Sequence, residues 1–364
     1  MKFVLTSCGV SMITNYLIDR YKIIPKEVYK YSNLKKDEID KEFLEKVEDA
    51  VKNLKNEIVN YSDEELKKLS AELNALISFY KGDFDKKDFH LLFVTDTYLG
   101  EVVADILKTF LEAKGINTQK FIAKDLKTSS LEEFEVALSD VVKELSSLLE
   151  SFKGNNYEII FNLTGGYKSV NSFLQTMATL WADKSIYIFE GSSELLEIPK
   201  LPLKIDEEIF KKYFNAFRKL EKGLELREDE IKNIPSALIM KIGNNYGLSS
   251  WGEIIWQKYK LEVMKSDIFV PLNKKIVYSK EFSKDFENLN PSERFQLNKS
   301  IEKLENFVEK DENLKSLRYH NLKGEIAKKY SHEFYPFDGN DSRRVYCNER
   351  DGKIILEKID EHLK

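Results

Sequence analysis

The sequence predicts an α/β fold in which a doubly wound, mostly parallel sheet is followed by a helical connector and a small α+β domain. Short apolar strands alternate with amphipathic helices over residues 1–204, a pattern typical of parallel sheets with crossover helices. Pro199 and Pro202 close that region, and mainly helical patterns follow until Pro271. A length of 364 residues allows two or three domains, each with its own core.

The first predicted domain, residues 1–204, begins with a buried strand over 2–6, and an amphipathic helix comes directly after it. The alternation resumes near residue 89 and continues to the end of the domain. Further strands are predicted at 89–94, 119–123, 157–163 and 185–189, an antiparallel edge strand at 194–198, and helices at 99–113, 131–152 and 168–182.

Residues 36–80 interrupt this alternation with a charged stretch whose apolar residues recur at helical spacing. Ser62 followed by Glu65 fits a capping box, which marks the start of a helix. We expect a helical hairpin that is inserted into the first domain and projects from it.

Two further regions complete the predicted domain organisation. Residues 205–270 form a helical or winged-helix-like connector, and residues 271–364 form a small α+β domain. In the last domain we expect strands at 275–279, 316–322, 330–337, 342–348 and 352–357, and helices at 280–288 and 291–311.

Composition limits the function classes. A hydrophobic content of 42%, a charged content of 33% and a net charge of -5 describe an ordinary globular protein that does not coat nucleic acid non-specifically. Cys8 and Cys347 are too few for a disulfide framework, and four histidines without HExxH spacing give little support to a metal site. With neither a signal peptide nor an apolar run of about 20 residues, we expect a cytoplasmic protein without a membrane span.

Three of the predicted strands end in polar loops, namely Ser7-Cys8-Gly9, Thr95-Asp96-Thr97 and Thr164-Gly165-Gly166. Ligands of doubly wound sheets bind beyond the carboxyl ends of the strands. The glycine pair permits a tight turn, after which the first N–H groups of a helix face an anion. Lys168 adds a positive charge, and Asn162 offers hydrogen bonds. The pattern predicts a phosphate pocket, although the Walker A spacing is absent and a plain strand–helix turn is the alternative.

This order of loops, ending in Asn162-Leu163-Thr164-Gly165-Gly166-Tyr167-Lys168, resembles the CARF domain, the Rossmann-like sensor module of CRISPR-associated ancillary proteins. The resemblance covers roughly residues 1–204. It implies a homodimer whose two-fold axis passes through a shared pocket for a cyclic oligoadenylate activator, for which cyclic tetra-adenylate suits the symmetry best. The ligand contacts that it implies are Ser7, Cys8, Gly9, Ser11, Thr95, Asp96, Thr97, Asn162, Thr164, Gly165, Gly166, Tyr167 and Lys168.

The last domain carries Arg343-Arg344 inside a strand pattern, so the two side chains point to opposite faces and one is able to contact a phosphate. A hairpin with its turn around Asp338-Gly339-Asn340 would place His332, Tyr346 and Arg344 within reach of one another. The alternative is scattered surface charge on a small domain.

These residues, together with Leu322-Lys323-Gly324 and Ile354-Ile355-Leu356, resemble a RelE/HigB-type toxin over about residues 274–364. The resemblance implies a metal-independent ribonuclease that cuts mRNA on the ribosome, using the 2′-OH of the substrate as nucleophile. Arg344 would stabilise the phosphorane, and His320 is expected to be structural. The other residues implied are His332 and His362 as acid or base, Arg343, Tyr346 and Lys323 in the catalytic site, and Lys328 and Lys329 as RNA contacts.

The combination of the two domains resembles a CRISPR-associated mRNA interferase of type III defence systems, activated by the cyclic ligand. Residues 36–80 are expected to dock a ribosomal component or to support the dimer. One alternative is a ligand-controlled transcription regulator with a winged helix in 205–270. The other is a ring nuclease in which Lys168 and Ser11 help to cleave the cyclic ligand.

Overall fold

The computed structural model of the chain describes residues 1–126, 131–189, 194–310, 316–337 and 341–361. No helix in these ranges is both long and apolar enough to cross a membrane.

The chain divides into two compact units. The first unit comprises Met1–Asp206 and Lys219–Ile255, and the second comprises Glu207–Arg218 and Trp256–Lys364. The three-part division at residues 204 and 270 stays a prediction.

The first unit contains a six-stranded sheet in the order β3-β2-β1-β4-β5-β6. The first five strands are parallel, and β6 runs antiparallel to β5 at one edge. This confirms the predicted parallel sheet with an antiparallel edge strand, because runs of buried apolar residues are typical of strands covered on both faces. The strands are β1 Lys2–Ser7, β2 Phe89–Thr95, β3 Asn117–Ala123, β4 Glu158–Asn162, β5 Lys184–Ile188 and β6 Leu195–Pro199.

Helices connect these strands, and the three predicted crossover helices are found within a few residues of their expected bounds. The helices are α1 Ser11–Tyr21, α2 Pro25–Lys30, α3 Lys41–Glu57, α4 Asp63–Leu69, α5 Ala71–Tyr80, α6 Tyr98–Ala113, α7 Leu131–Gly154 and α8 Lys168–Trp181.

The segment 36–80 forms α3, α4 and α5, and the expectation that it projects from the domain is wrong. Phe43, Leu54 and Leu73 are buried in the same hydrophobic cluster as Val4 and Leu92 of the sheet. The apolar side of each helix has to be buried, and the sheet and α6 are the nearest surfaces against which it packs. The segment is therefore part of the core of the first unit.

The region between the large sheet and the last domain is mostly helical and includes one short antiparallel strand pair. Whether it is a winged helix stays a prediction. Its elements are α9 Glu208–Lys212, α10 Phe214–Glu221, α11 Glu228–Ile231, β7 Ile239–Ile242, β8 Asn245–Leu248 and α12 Ser250–Ser266.

The second unit contains a five-stranded sheet in the order β10-β11-β12-β13-β9, in which only the β13–β9 pair is parallel. Its two helices cover one face, where Phe282 and Leu297 pack in one cluster with Val345 and Leu356. The predicted α+β pattern is thus found. The elements are β9 Ile276–Tyr278, α13 Lys280–Glu287, α14 Pro291–Lys310, β10 His320–Asn321, β11 His332–Phe334, β12 Arg343–Arg350 and β13 Lys353–Glu361.

Candidate functional site

The loops after β1, β2 and β4 lie side by side at the carboxyl edge of the large sheet, because β1 pairs with both other strands. The Cys8 N–H donates to the carbonyl oxygen of Phe93 at 2.9 Å. A Cβ atom on Gly9 would lie 2.6 Å from the backbone nitrogen of Gly166, so these two loops touch. The three loops thus lie together at the edge of the sheet, which is the arrangement on which the predicted pocket depends.

Glu72, the second residue of α5, fills the space between these loops. Its side chain is fully buried, and its Oε1 accepts a hydrogen bond of 2.6 Å from the Gly9 N–H. Its Oε2 accepts from the hydroxyls of Ser11 and Ser70, at 3.2 and 2.5 Å. Within the part of the chain that the structure describes, no cation pairs with this carboxylate. Glu72 is not among the residues that the sequence pattern predicts at this site.

These neighbours leave no room for a side chain at Gly165 or Gly166. A Cβ atom on Gly165 would lie 2.0 Å from Glu72 Oε1, and one on Gly166 would lie 2.1 Å from Ser7 Oγ. Gly166 also has a φ of 95°, which side-chain-bearing residues rarely adopt. The glycines therefore let a carboxylate and a hydroxyl approach the backbone, and their contact with a ligand phosphate stays a prediction.

Ser7 and Asn162 are buried at the ends of their strands but differ in their partners. The Ser7 hydroxyl has no hydrogen-bond partner among the described residues. Asn162 donates to the Glu72 carbonyl oxygen at 3.2 Å and accepts from the Thr164 N–H at 3.3 Å. Burial, and then the negative charge of Glu72, raise the pKa of the Cys8 thiol. Cys8 is therefore a neutral packing residue in this structure, whereas Ser7 retains an unused donor.

The loop after β2 is held by its own contacts. Thr95 and Thr97 are buried with their hydroxyl oxygens 3.1 Å apart. Asp96 accepts from the Asp125 N–H at 3.0 Å and pairs with Lys35 at 3.1 Å. The hydrogen bond with Asp96, and then its charge, raise the pKa of Lys35. Asp96 thus joins this loop to the segment before α3.

The loop after β4 ends with an exposed lysine. The Thr164 hydroxyl accepts from the Ile188 N–H at 3.2 Å, and the Tyr167 hydroxyl donates to the Ser32 carbonyl at 2.6 Å. Burial raises the pKa of Tyr167, so its phenol stays neutral. Lys168 begins α8 and is exposed, so its charge is accessible to an anion at the helix N-terminus.

In the second unit, Arg343 and Arg344 point to opposite faces of β12, as strand alternation predicts. Arg343 is neutralised, because Asp341 and Glu293 each hold its guanidinium at 2.6 Å. The hydrogen bond that Arg343 donates to the Asp341 carboxylate is the main cause that raises the pKa of Arg343. Its guanidinium also lies 4.3 Å from the centre of the Phe337 ring. Arg343 therefore holds the end of the strand rather than presenting a free charge.

Arg344 keeps part of its donor capacity. Its guanidinium carbon lies 3.6 Å from the centre of the Tyr335 ring. Nη1 donates to the carbonyl oxygens of Asp341 and Arg343 at 3.2 and 2.8 Å. Its Nε–H has no hydrogen-bond partner in the described ranges. Among the described residues no carboxylate forms an ion pair with Arg344, although its charge contributes to lowering the pKa of Asp341, and this leaves donor capacity that suits a phosphate ligand.

The predicted grouping of His332 with Arg344 is not what the strand register gives. His332 pairs with Cys347, and the ring of His332 stacks on Tyr319 with centroids 5.0 Å apart. Its Nε2 lies 3.4 Å from Glu349 Oε1. His332 therefore faces the helix-covered side of the sheet, whereas Arg344 faces the other side.

Tyr346 shares a face with Arg344 but is fully buried. Its hydroxyl donates to the Glu361 carbonyl at 3.1 Å, and its ring stacks on Tyr330 with centroids 5.1 Å apart. Contact with RNA would require this hydroxyl to become accessible.

The three lysines that were predicted for the catalytic site or as RNA contacts, Lys323, Lys328 and Lys329, are exposed. Lys323 is exposed after β10, Lys328 pairs with Glu325 at 2.7 Å, and Lys329 lies 5.1 Å from the centre of the Tyr330 ring. The predicted turn at 338–340 and the candidate His362 lie outside the described residues.

Comparisons with known proteins find similarity in the first unit. Residues 67–201 match the model of a family described as CRISPR-associated protein (Cas_APE2256). This segment contains Glu72 and the loops after β2 and β4, but not the loop after β1. No curated protein matches the chain.

Among solved structures, the chain is similar to Enterococcus italicus Csm6 bound to cyclic hexa-2′-fluoro-hexa-dAMP. Sequence identity is 13%, and the TM-score is 0.28 over 85% of this chain and 63% of that chain. The chain spans less than two thirds of the length of that relative.

Proposed function

We propose that this protein is an RNA-cutting effector of type III CRISPR defence that a cyclic oligoadenylate activates. The observation that carries the proposal is the match of residues 67–201 to a CRISPR-associated family, because the matched segment contains the loop from Asn162 to Lys168. The ligand that we propose for this chain is a cyclic oligoadenylate, the class that the resemblance of its strand-end loops to CARF domains implies.

The proposed ligand site is the carboxyl edge of the large sheet. Lys168 and the N–H groups at the start of α8 offer a positive end to a phosphate. The hydroxyl of Ser7, which has no hydrogen-bond partner in the described part of the chain, is a further donor at this edge. A cyclic, symmetric anion suits a site shared by two copies of the chain, so the proposal includes a homodimer and favours cyclic tetra-adenylate.

The proposed reaction is cleavage of mRNA on the ribosome without a metal ion, and it belongs to the second unit. Its chemistry transfers the proton of the 2′-OH, stabilises a phosphorane and protonates the 5′-oxygen. Arg344 is the candidate for the second role, because its guanidinium is held by carbonyl groups and an aromatic ring rather than by a carboxylate. A ribosomal component would contact the exposed charged side of α3 and α4.

The experiment that tests the proposal is translation of a reporter mRNA in a cell-free system with and without cyclic tetra-adenylate, with the mRNA ends mapped. We expect ligand-dependent cuts in phase with codons. Absence of cuts with every cyclic oligoadenylate tested would contradict it and favour a ligand-controlled transcription regulator, which a mobility shift on operator DNA would reveal. Linear adenylates formed from the cyclic ligand would indicate a ring nuclease.

A further inference from the structure

The strand register of the second unit brings a different histidine to the face of Arg344. His320 of β10 pairs with Glu333 of β11, and Glu333 pairs with Tyr346 of β12. Directly opposed residues in antiparallel strands share a face, and so do residues two apart in one strand. His320, Glu333, Tyr346 and Arg344 therefore project from the same side of the sheet.

These side chains gather around the ring of Tyr335. The guanidinium carbons of Arg344 and Arg318 lie 3.6 and 5.0 Å from its centre, and the ring of His320 lies 6.2 Å away, centroid to centroid. Arg318 and His320 are exposed, and Tyr335 is half-buried. The face therefore combines two guanidinium groups and an imidazole around one aromatic ring, an arrangement that suits the phosphates and bases of single-stranded RNA.

Both ring nitrogens of His320 face acceptors. Nδ1 lies 2.7 Å from the carbonyl oxygen of Arg318, and Nε2 lies 3.2 Å from Glu333 Oε1. A carbonyl oxygen and an ionised carboxylate only accept hydrogen bonds, so both contacts are made when both nitrogens carry a proton. The imidazole is thus arranged as a proton donor, and Glu333, which is 2% exposed, fixes its orientation.

We infer that His320, oriented by Glu333, is the proton donor of the RNA cleavage that we propose for the face of Arg344. The inference rests on the proposed function. The 2′-oxygen forms a bond to phosphorus and releases its proton to solvent, while the bond between phosphorus and the 5′-oxygen breaks. The electron pair of that bond stays on the 5′-oxygen, which takes the proton of His320 Nε2 as this N–H leaves its contact with Glu333 Oε1. The products are a 2′,3′-cyclic phosphate and a 5′-hydroxyl, and His320 regains its proton from water.

The test uses the full chain with cyclic tetra-adenylate and ribosome-bound mRNA and compares His320→Gln with His332→Gln. Each histidine contacts one carboxylate, but only His320 shares the face of Arg344. We expect His320→Gln to slow cleavage about 100-fold or more and His332→Gln to slow it less than about tenfold. The reverse order, or wild-type rates for His320→Gln, would overturn the inference.

A second substrate separates a proton donor from a structural residue. An mRNA with a sulfur atom in place of the scissile 5′-oxygen has a leaving group that needs no proton. We expect this substrate to restore most of the rate of His320→Gln but not that of Arg344→Ala. Failure of the restoration would overturn the assignment of His320 while wild-type cleavage still supports the proposed function. A wild-type protein that cuts neither substrate would overturn both.

Discussion

The two candidate sites differ in how their polar groups are satisfied. At the carboxyl edge of the large sheet, the protein fills the centre with its own carboxylate, Glu72, which the Gly9 N–H and two serine hydroxyls hold. On the face of the small sheet, Arg344 and His320 contact carbonyls, an aromatic ring and one carboxylate, and His320 is exposed. The difference indicates that an anion has to compete with the carboxylate of Glu72 at the first site. At the second site the guanidinium of Arg344 has no such competitor in these contacts.

The largest expected effect is on RNA cleavage by the second site. Arg344→Ala removes the guanidinium that we place at the phosphorane, so we expect the cleavage rate to fall about 100- to 1,000-fold. Affinity for cyclic tetra-adenylate is expected to stay the same in a titration of the purified protein. The matched control is Arg350→Ala, because Arg350 is an exposed arginine at the other end of β12. Cleavage by Arg344→Ala at the wild-type rate would contradict the placement of the active site.

As the pH decreases, the first unit is expected to lose stability before the second unit does. His90 in β2 is fully buried, and burial, followed by the charge of Lys2, lowers its pKa from 6.5 to about 3. The unfolded chain therefore binds a proton that the folded chain excludes, so stability falls as pH decreases below 6.5, by about 1.4 kcal/mol per pH unit. In the second unit, Arg343 lowers the pKa of Asp341, so its stabilisation is lost only below the ordinary value of 3.8.

Hydrogen exchange of backbone amides at pH 7 and pH 5 measures this difference. We expect protection in the large sheet to decrease at pH 5 by about 2 kcal/mol in opening free energy, with less change around Asp341. His90→Gln should abolish this decrease. Equal loss of protection around Asp341 would contradict the assignment to His90.

Local patterns predicted the elements better than they predicted the sites. Alternation of apolar strands and amphipathic helices predicted the large sheet, and Ser62 with Glu65 does form the capping box that starts α4. Glu72 gave no signal, because a glutamate in the first turn of a helix is usual whether it is exposed or buried. Likewise, the many charged residues of segment 36–80 gave no indication that its apolar side is fully buried.

Which histidine lies on the face of Arg344 depends on the strand register, which the sequence does not specify here. The strands β11 and β12 pair antiparallel, as the predicted hairpin requires, but a shift of one residue exchanges the faces of all side chains. The register pairs His332 with Cys347, which places His320 rather than His332 on the face of Arg344.

Substitution of the exposed lysine of the first site is expected to lower the affinity for the ligand by a smaller factor. Lys168→Ala removes a charge at the N-terminus of α8, and we expect the affinity for cyclic tetra-adenylate to fall about tenfold. Isothermal titration with the purified protein measures it. The control is Lys200→Ala, because Lys200 is an exposed lysine of the same unit beyond the end of β6. Unchanged affinity for Lys168→Ala would contradict the pocket assignment.

The smallest expected effect tests whether Glu72 competes with the ligand. Glu72→Gln keeps the shape of the side chain, and its amide oxygen still accepts from the Gly9 N–H. Its amide nitrogen donates to the hydroxyls of Ser11 and Ser70, which are able to accept. The substitution removes a buried negative charge that repels a phosphate, and this repulsion is worth roughly 1 kcal/mol at a separation of about 8 Å and an effective dielectric constant of about 40. We therefore expect affinity for cyclic tetra-adenylate to rise about fivefold with little change in the melting temperature. A fall in affinity would mean instead that the carboxylate contacts the ligand or orders the loop that binds it, and the two sites would then be more alike than their ligand-free contacts indicate.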